Sequence, residues 1–311
     1  MSRRLVAGCV TCLAAAAFMT SAPVDSAPQS PPPAQPAQSG RAARAPTAVS
    51  TVRLYALDGG ILESDPTRYH LTAADVGVTQ LSVTAFLVVH PKGTLMWDTG
   101  AIADSTWTPT GKPLRRRLVL SDSTERYVTV TKTLAAQLRA IGHPPESVTY
   151  LALSHYHWDH TANANAFVGS TWLVPPKELE AMLPEKPPVV GYPSTYADLK
   201  RSKTVLIKSD DYDVFGDGTV TIKRAVGHTP GHQVLYVKLA KTGGVVLSGD
   251  LYHYPAERTL NRLPTFEVDE GKTRASRAAI DAFLQKSGAA LWIQHDFRGM
   301  AKVRKAPLYY D

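Results

Sequence analysis

From about residue 50 onward, short apolar runs alternate with stretches in which apolar residues recur every three or four positions. Residues 52–57, 81–89 and 94–97 read as strands, as do 150–153, 172–174, 203–208, 220–225, 232–239, 244–247 and 291–293. Helical spacing marks 128–141, where Leu134, Leu138 and Ile141 share a face ahead of Gly142, then 176–183 and the amphipathic stretch 273–286. Strands in runs with helices between them predict a mixed α/β fold. Three stretches, 101–126, 185–202 and 252–267, follow neither period and read as loops, with the length that binding loops or surface insertions have.

The first 48 residues are built differently. Arg3 and Arg4 precede an uncharged, alanine-rich run over residues 5–19, and small residues follow; this is the three-part pattern of an export signal, assigned to residues 1–27. The run is short for a membrane span, which needs about 20 apolar residues. Residues 28–48 are rich in Pro, Ala and Gln and read as a linker, so the folded part is expected over 49–311 and the protein is expected to be secreted or periplasmic. Cys9 and Cys12 both fall inside the signal, which leaves the exported chain without a disulfide or a thiolate ligand. The net charge of +7 shrinks to +4 once Arg3, Arg4, Arg41, Arg44 and Asp25 are set aside, too mild to point to nucleic acid. The run Arg115-Arg116-Arg117 reads as a solvated loop.

Candidate chemistry concentrates in one place. His155, His157, Asp159 and His160 follow the strand ending near Ser154, and alternation in extended chain points His155 and His157 the same way. Imidazole and carboxylate suit zinc and similar divalent ions. Three further candidates each follow a strand: His228, Asp250 and His295. Together they supply enough ligands for two metal ions. His232 is separated from His228 by Pro230 and Gly231, which prevents a helix, and reads as structural; His70, His90 and His143 fall in loops without a pattern.

The order His-x-His-x-Asp-His, then His, Asp and His, resembles that of the metallo-β-lactamase superfamily, and Leu95 to Gly100 resembles its early strand and Asp-Thr-Gly motif. The resemblance implies a single-domain, four-layer αββα sandwich with two divalent ions, zinc foremost, at one edge of the two sheets. It also implies that His155, His157 and His228 hold one ion, that Asp159, His160 and His295 hold the other, and that Asp250 bridges them. Asp98 would brace the site by hydrogen bonding. Thr161 stands where family members often have glycine.

Within the superfamily the flanks of His228 and His295 look most like N-acyl homoserine lactonases, which open a lactone ring with metal-activated water. That implies a small lactone with an acyl chain as substrate. Asp159 is the candidate for proton transfer, and Tyr252 or His253, just after Asp250, for assisting it. Trp107, Tyr192, Tyr196, Tyr252 and Phe297 are candidates to line an acyl pocket. The alternatives are a true β-lactamase, favoured by export but disfavoured by Asp250, and a thioesterase of the glyoxalase II type.

Overall fold

Alternation along one strand shows how the layers arise. In β1 (Arg53–Glu63), Leu54 and Ala56 pack to one side and Tyr55 and Leu57 to the other, and all four are buried. A strand buried on both faces must lie in the middle of a stack. The computed structural model describes residues 50–185 and 188–311, so the proposed signal and linker lie outside the described residues.

Eight strands form the larger sheet: β1, β2 (Gln80–His90), β3 (Gly93–Trp97), β4 (Leu114–Val119), β5 (Glu125–Val130), β6 (Tyr150–Ala152), β7 (Thr171–Val174) and β8 (Thr204–Leu206). Their spatial order is β4-β5-β1-β2-β3-β6-β7-β8. The smaller sheet contains β9 (Asp211–Asp213), β10 (Val220–Arg224), β11 (Gln233–Leu239), β12 (Gly243–Leu247) and β13 (Ala290–Trp292), in the order β13-β12-β11-β10-β9.

The inner faces meet through Leu54, Phe86, Val88, Leu95 and Trp97 on one side and Val220, Ile222, Leu235, Val237 and Leu247 on the other. Each such buried side chain stabilises the fold by roughly 1.5–3 kcal/mol relative to exposure. Outside the larger sheet, Leu87, Met96 and Leu151 pack on Leu134 and Leu138 of the helix Leu134–Ala140. Outside the smaller one, Val234 and Val246 meet Ile280 and Leu284 of the helix Glu270–Ser287. The expected αββα layering is therefore present. No helix among the described residues is long and apolar enough to cross a membrane.

Three expectations need correction. The helix expected over 128–141 starts at Leu134, where Thr133 caps it, because Val128 and Val130 belong to β5. Residues 101–126 are not all loop: β4 pairs with β5 antiparallel, and the three arginines lie on that strand, where their unbroken run of charge masked its period. His90 ends β2, stacks on Phe215 at 4.1 Å and pairs with Asp217 at 2.8 Å.

Candidate metal centre

The candidate ligands all leave strand ends at one edge of the sandwich. His155 and His157 follow β6, and the single turn Trp158–Thr161 carries Asp159 and His160. His228, Asp250 and His295 follow β10, β12 and β13 of the opposite sheet. All seven are buried. Gly227 makes the approach of His228 possible: its φ is +135°, and a Cβ there would lie 2.2 Å from the amide nitrogen of Thr273.

Asp250 is the hub. Its Oδ1 lies 3.0 Å from both His160 Nε2 and His295 Nε2. Its Oδ2 lies 3.4 Å from His155 Nε2 and 3.3 Å from His228 Nε2. Donor atoms of His155, His157, His228 and Asp250 fall within 4.8 Å of one another, as do those of Asp159, His160 and His295. A third such group joins Asp250 and His295 with His253, whose Nε2 is 3.0 Å from Asp250 Oδ2.

Most of the ligating rings are held from behind. His160 Nδ1 lies 2.9 Å from Asp98, His228 Nδ1 2.8 Å from Glu267, His295 Nδ1 2.7 Å from the Ser82 carbonyl, and His155 Nδ1 2.9 Å from Ser154 Oγ. One ring nitrogen fixed outward and the other aimed inward is the arrangement of metal-ligating histidine. The residues fit a pair of divalent cations on two further counts. His155 Nε2 and Asp250 Oδ1 are buried without a hydrogen bond among the described residues. Burial, then neighbouring imidazole charge, holds His155 and His157 well below the usual histidine range, so their lone pairs are free to bind.

Asp98 does what the family pattern implies. Held at φ +58°, it accepts from the Ser154 amide at 2.6 Å and from Gln294 at 2.9 Å while facing His160. Two supports, Glu267 and Glu178, were invisible in the sequence because their partners are distant in the chain, and a third, His232, was legible only as structural. Glu267 braces His228 and accepts a hydrogen bond from Thr273. Glu178 accepts from the Tyr156 amide, Thr229 Oγ1 and the Gly231 amide, tying the two histidine-bearing loops together. Burial pushes its carboxyl up to about 7 despite those hydrogen bonds. His232 accepts from the Asp250 amide at 2.9 Å, with its other nitrogen 2.8 Å from the Ala225 carbonyl. Burial, then the charge of His228, lowers it to about 4, so it stays neutral as the structural reading expects.

The cleft over the cage has a cavity of about 40 Å³ and is lined by Leu62, Tyr69, Trp158, Val190 and Phe266 as well as Arg68 and Arg126. His253 reaches it, and the carboxylates of Asp250 and Glu257 lift that imidazole to about 10 against the opposing effect of burial. Tyr252 does not reach it. Its ring packs with Val246, Leu251 and Ile280, under the Arg277 guanidinium at 4.2 Å. None of the five aromatics proposed for an acyl pocket lines this cleft. Tyr196 is fully buried behind the larger sheet, Trp107 packs beside Ile102 and Leu120, Tyr192 lines a neighbouring groove, and Phe297 lines another beside Pro255. The aromatics that do line it, Tyr69, Trp158 and Phe266, are brought there by tertiary packing.

Four layers with a histidine–aspartate cage at one edge define a metal-binding αββα sandwich. The chain belongs to the metallo-beta-lactamase superfamily, whose family model matches residues 78–295. It is 28% identical over 270 residues to the N-acyl homoserine lactonase AttM of Azorhizobium caulinodans, covering 85% of this chain and all of that one. The lactonase AiiA of Bacillus thuringiensis subsp. kurstaki is 23% identical over 257 residues, covering 83% of this chain and 98% of that protein. Among solved structures, an N-acyl homoserine lactone hydrolase with N-hexanoyl-L-homoserine bound at its catalytic metal centre superposes with a TM-score of 0.69. It is 21% identical and covers 84% of this chain and all of that one.

Proposed function

We propose that this chain is a dinuclear metal-dependent hydrolase that opens the lactone ring of N-acyl homoserine lactones. The observation that carries it is the shared aspartate: the two oxygens of Asp250 face two separate histidine sets. Full-length similarity to proteins named as lactonases supports the substrate class. His155, His157 and His228 would hold one ion, Asp159, His160 and His295 the other, with Asp250 between; zinc suits these nitrogen and oxygen donors. Two ions so held supply a water acidified towards neutrality and an electrophile for the carbonyl oxygen.

The protein's own groups do the rest. Asp159, in the cleft, takes the proton of the attacking water. His253, also in the cleft, holds a proton at Nε2 for the departing ring oxygen, with its backbone amide fixed by Glu257 at 2.5 Å. Tyr69, Trp158, Val190 and Phe266 exclude water and receive apolar parts of the substrate. The signal-like residues 1–27 support export, which cell fractionation of the full chain tests.

The test is hydrolysis by the zinc-loaded full chain of a long-chain acyl homoserine lactone, a cephalosporin and a glutathione thioester side by side. Rapid opening of the lactone alone is expected. Turnover of the cephalosporin alone would overturn the lactone reading.

A further inference from the structure

The two faces of the β4–β5 hairpin treat arginine in opposite ways. On its outer face the guanidiniums are matched: Arg115 lies 2.5 Å from Glu63 and stacks on Tyr127, and Arg117 lies 2.5 Å from Glu125. Alternation turns Arg126 the other way, onto the face of Val128 and Val130, which pack in the cluster that floors the cleft. There Arg126 lines the metal-facing cavity. The one hydrogen bond of its side chain among the described residues is to the adjacent Glu125 carbonyl, at 3.0 Å. Arg68 enters the same cavity from the short helix Pro66–Tyr69, with its guanidinium 4.6 Å from the Phe266 ring centroid. Neither has a carboxylate within 4.0 Å among the described residues.

Two like charges facing one narrow cavity repel each other. Burial, then the charge of Arg68, lowers Arg126, and the attraction of Asp159 offsets this only in part. In the proposed function Asp159 is committed to a cation, which leaves Arg126 with the weaker pull of Asp122 and neither guanidinium in an ion pair among the described residues. Both line a cavity of only about 40 Å³, so a group bound there lies close to them. Guanidinium is the side chain best suited to planar, two-point recognition of a carboxylate.

We propose that Arg68 and Arg126 form a carboxylate-binding subsite at the mouth of the cleft. Substrates of this hydrolase are then favoured when the part remote from the hydrolysed bond carries a carboxylate. This rests on the hydrolase reading for its kinetic consequence but not for the binding itself.

Two measurements separate the layers. In the first, linear dicarboxylates from malonate to suberate and the monocarboxylates of matching length are titrated into the zinc-loaded full chain by calorimetry. One carboxylate can go to the metal-facing floor, so only the second reports the arginines. At one chain length the dicarboxylate should bind about tenfold or more tightly than its monocarboxylate, with an advantage that shrinks in salt. Arg126→Gln and Arg68→Gln should each erode that advantage, Arg126→Lys should keep part of it, and Arg115→Gln, on the outer face, should leave it intact. An advantage absent at every length, or surviving both glutamine variants, overturns the proposal.

In the second, an acyl homoserine lactone ending in a carboxylate is compared with the neutral lactone of equal length. A kcat/KM ratio favouring the charged lactone, carried by KM and collapsed by Arg126→Gln, is expected. A ratio at or below one overturns the substrate preference. If neither lactone opens while the arginine-dependent dicarboxylate binding persists, the lactone reading fails and the subsite stands.

Discussion

The floor and the mouth of the cleft line one cavity, yet they are built on opposite rules. On the floor, four of the ligating imidazoles have a second partner behind them, Asp98, Glu267, Ser154 or the Ser82 carbonyl, and all the ligands are buried. At the mouth, Arg68 and Arg126 are half-buried and lack carboxylate partners among the described residues, and Val190 and Phe266 come from irregular chain. A pre-organised floor fixes what chemistry is possible, and an under-determined mouth is where selectivity can vary without disturbing it.

The largest effect expected on this contrast comes from its hub. Asp250→Ala removes the one carboxylate common to both histidine sets and should lower kcat/KM by about three orders of magnitude or more. Metal analysis should show loss of bound zinc. A variant that keeps both ions would mean that the floor does not depend on its centre. Next is Glu178→Ala, which touches no candidate ligand but strips the acceptor from the Tyr156 amide, Thr229 and the Gly231 amide. Each buried donor left unpaired costs about 1–3 kcal/mol, so denaturant unfolding should show a loss of about 3–5 kcal/mol.

Asp98→Ala frees the outward nitrogen of His160, the Ser154 amide and the Gln294 side-chain amide, and competition with a chelator should show zinc held about 10–100-fold more weakly.

The last effect is on stability alone and involves none of the ligands. Lys305 donates to Thr84 Oγ1 at 3.3 Å, and burial lowers its ammonium from 10.5 to about 8, with Asp58 opposing. Between those values the unfolded chain holds the proton more firmly than the folded one, so stability should rise with pH from about 8 to 10.5. Lys305→Met should flatten that rise, as read from urea midpoints at the two ends of the window.

The same contrast explains what could be read from the chain. Candidate ligands on the floor sit at the ends of buried strands and in one dense run, so composition and period together expose His155, His157, Asp159 and His160. The mixed α/β class was legible in apolar runs such as those of β1 and β2, and the four-layer arrangement only through the family resemblance. Glu178 and Glu267 escaped notice because their meaning lies in amides and rings tens of residues away. At the mouth the signal failed outright. Tyr252 and Tyr196 looked like pocket residues and are core, while Arg126 was hidden in a hairpin whose three consecutive arginines concealed its strands. An aromatic residue carries no local mark that separates packing from contact with a substrate.

The ligands come from both sheets: the first four follow β6, and the others follow β10, β12 and β13. Neither half of the chain can therefore assemble the cage alone. The cation pair acts as a receipt for completed assembly, because only a chain whose two layers have already docked presents the full set of donors. During refolding, zinc uptake should trail the recovery of β-structure, and the segment after β13, which delivers His295, sets the moment at which capture becomes possible.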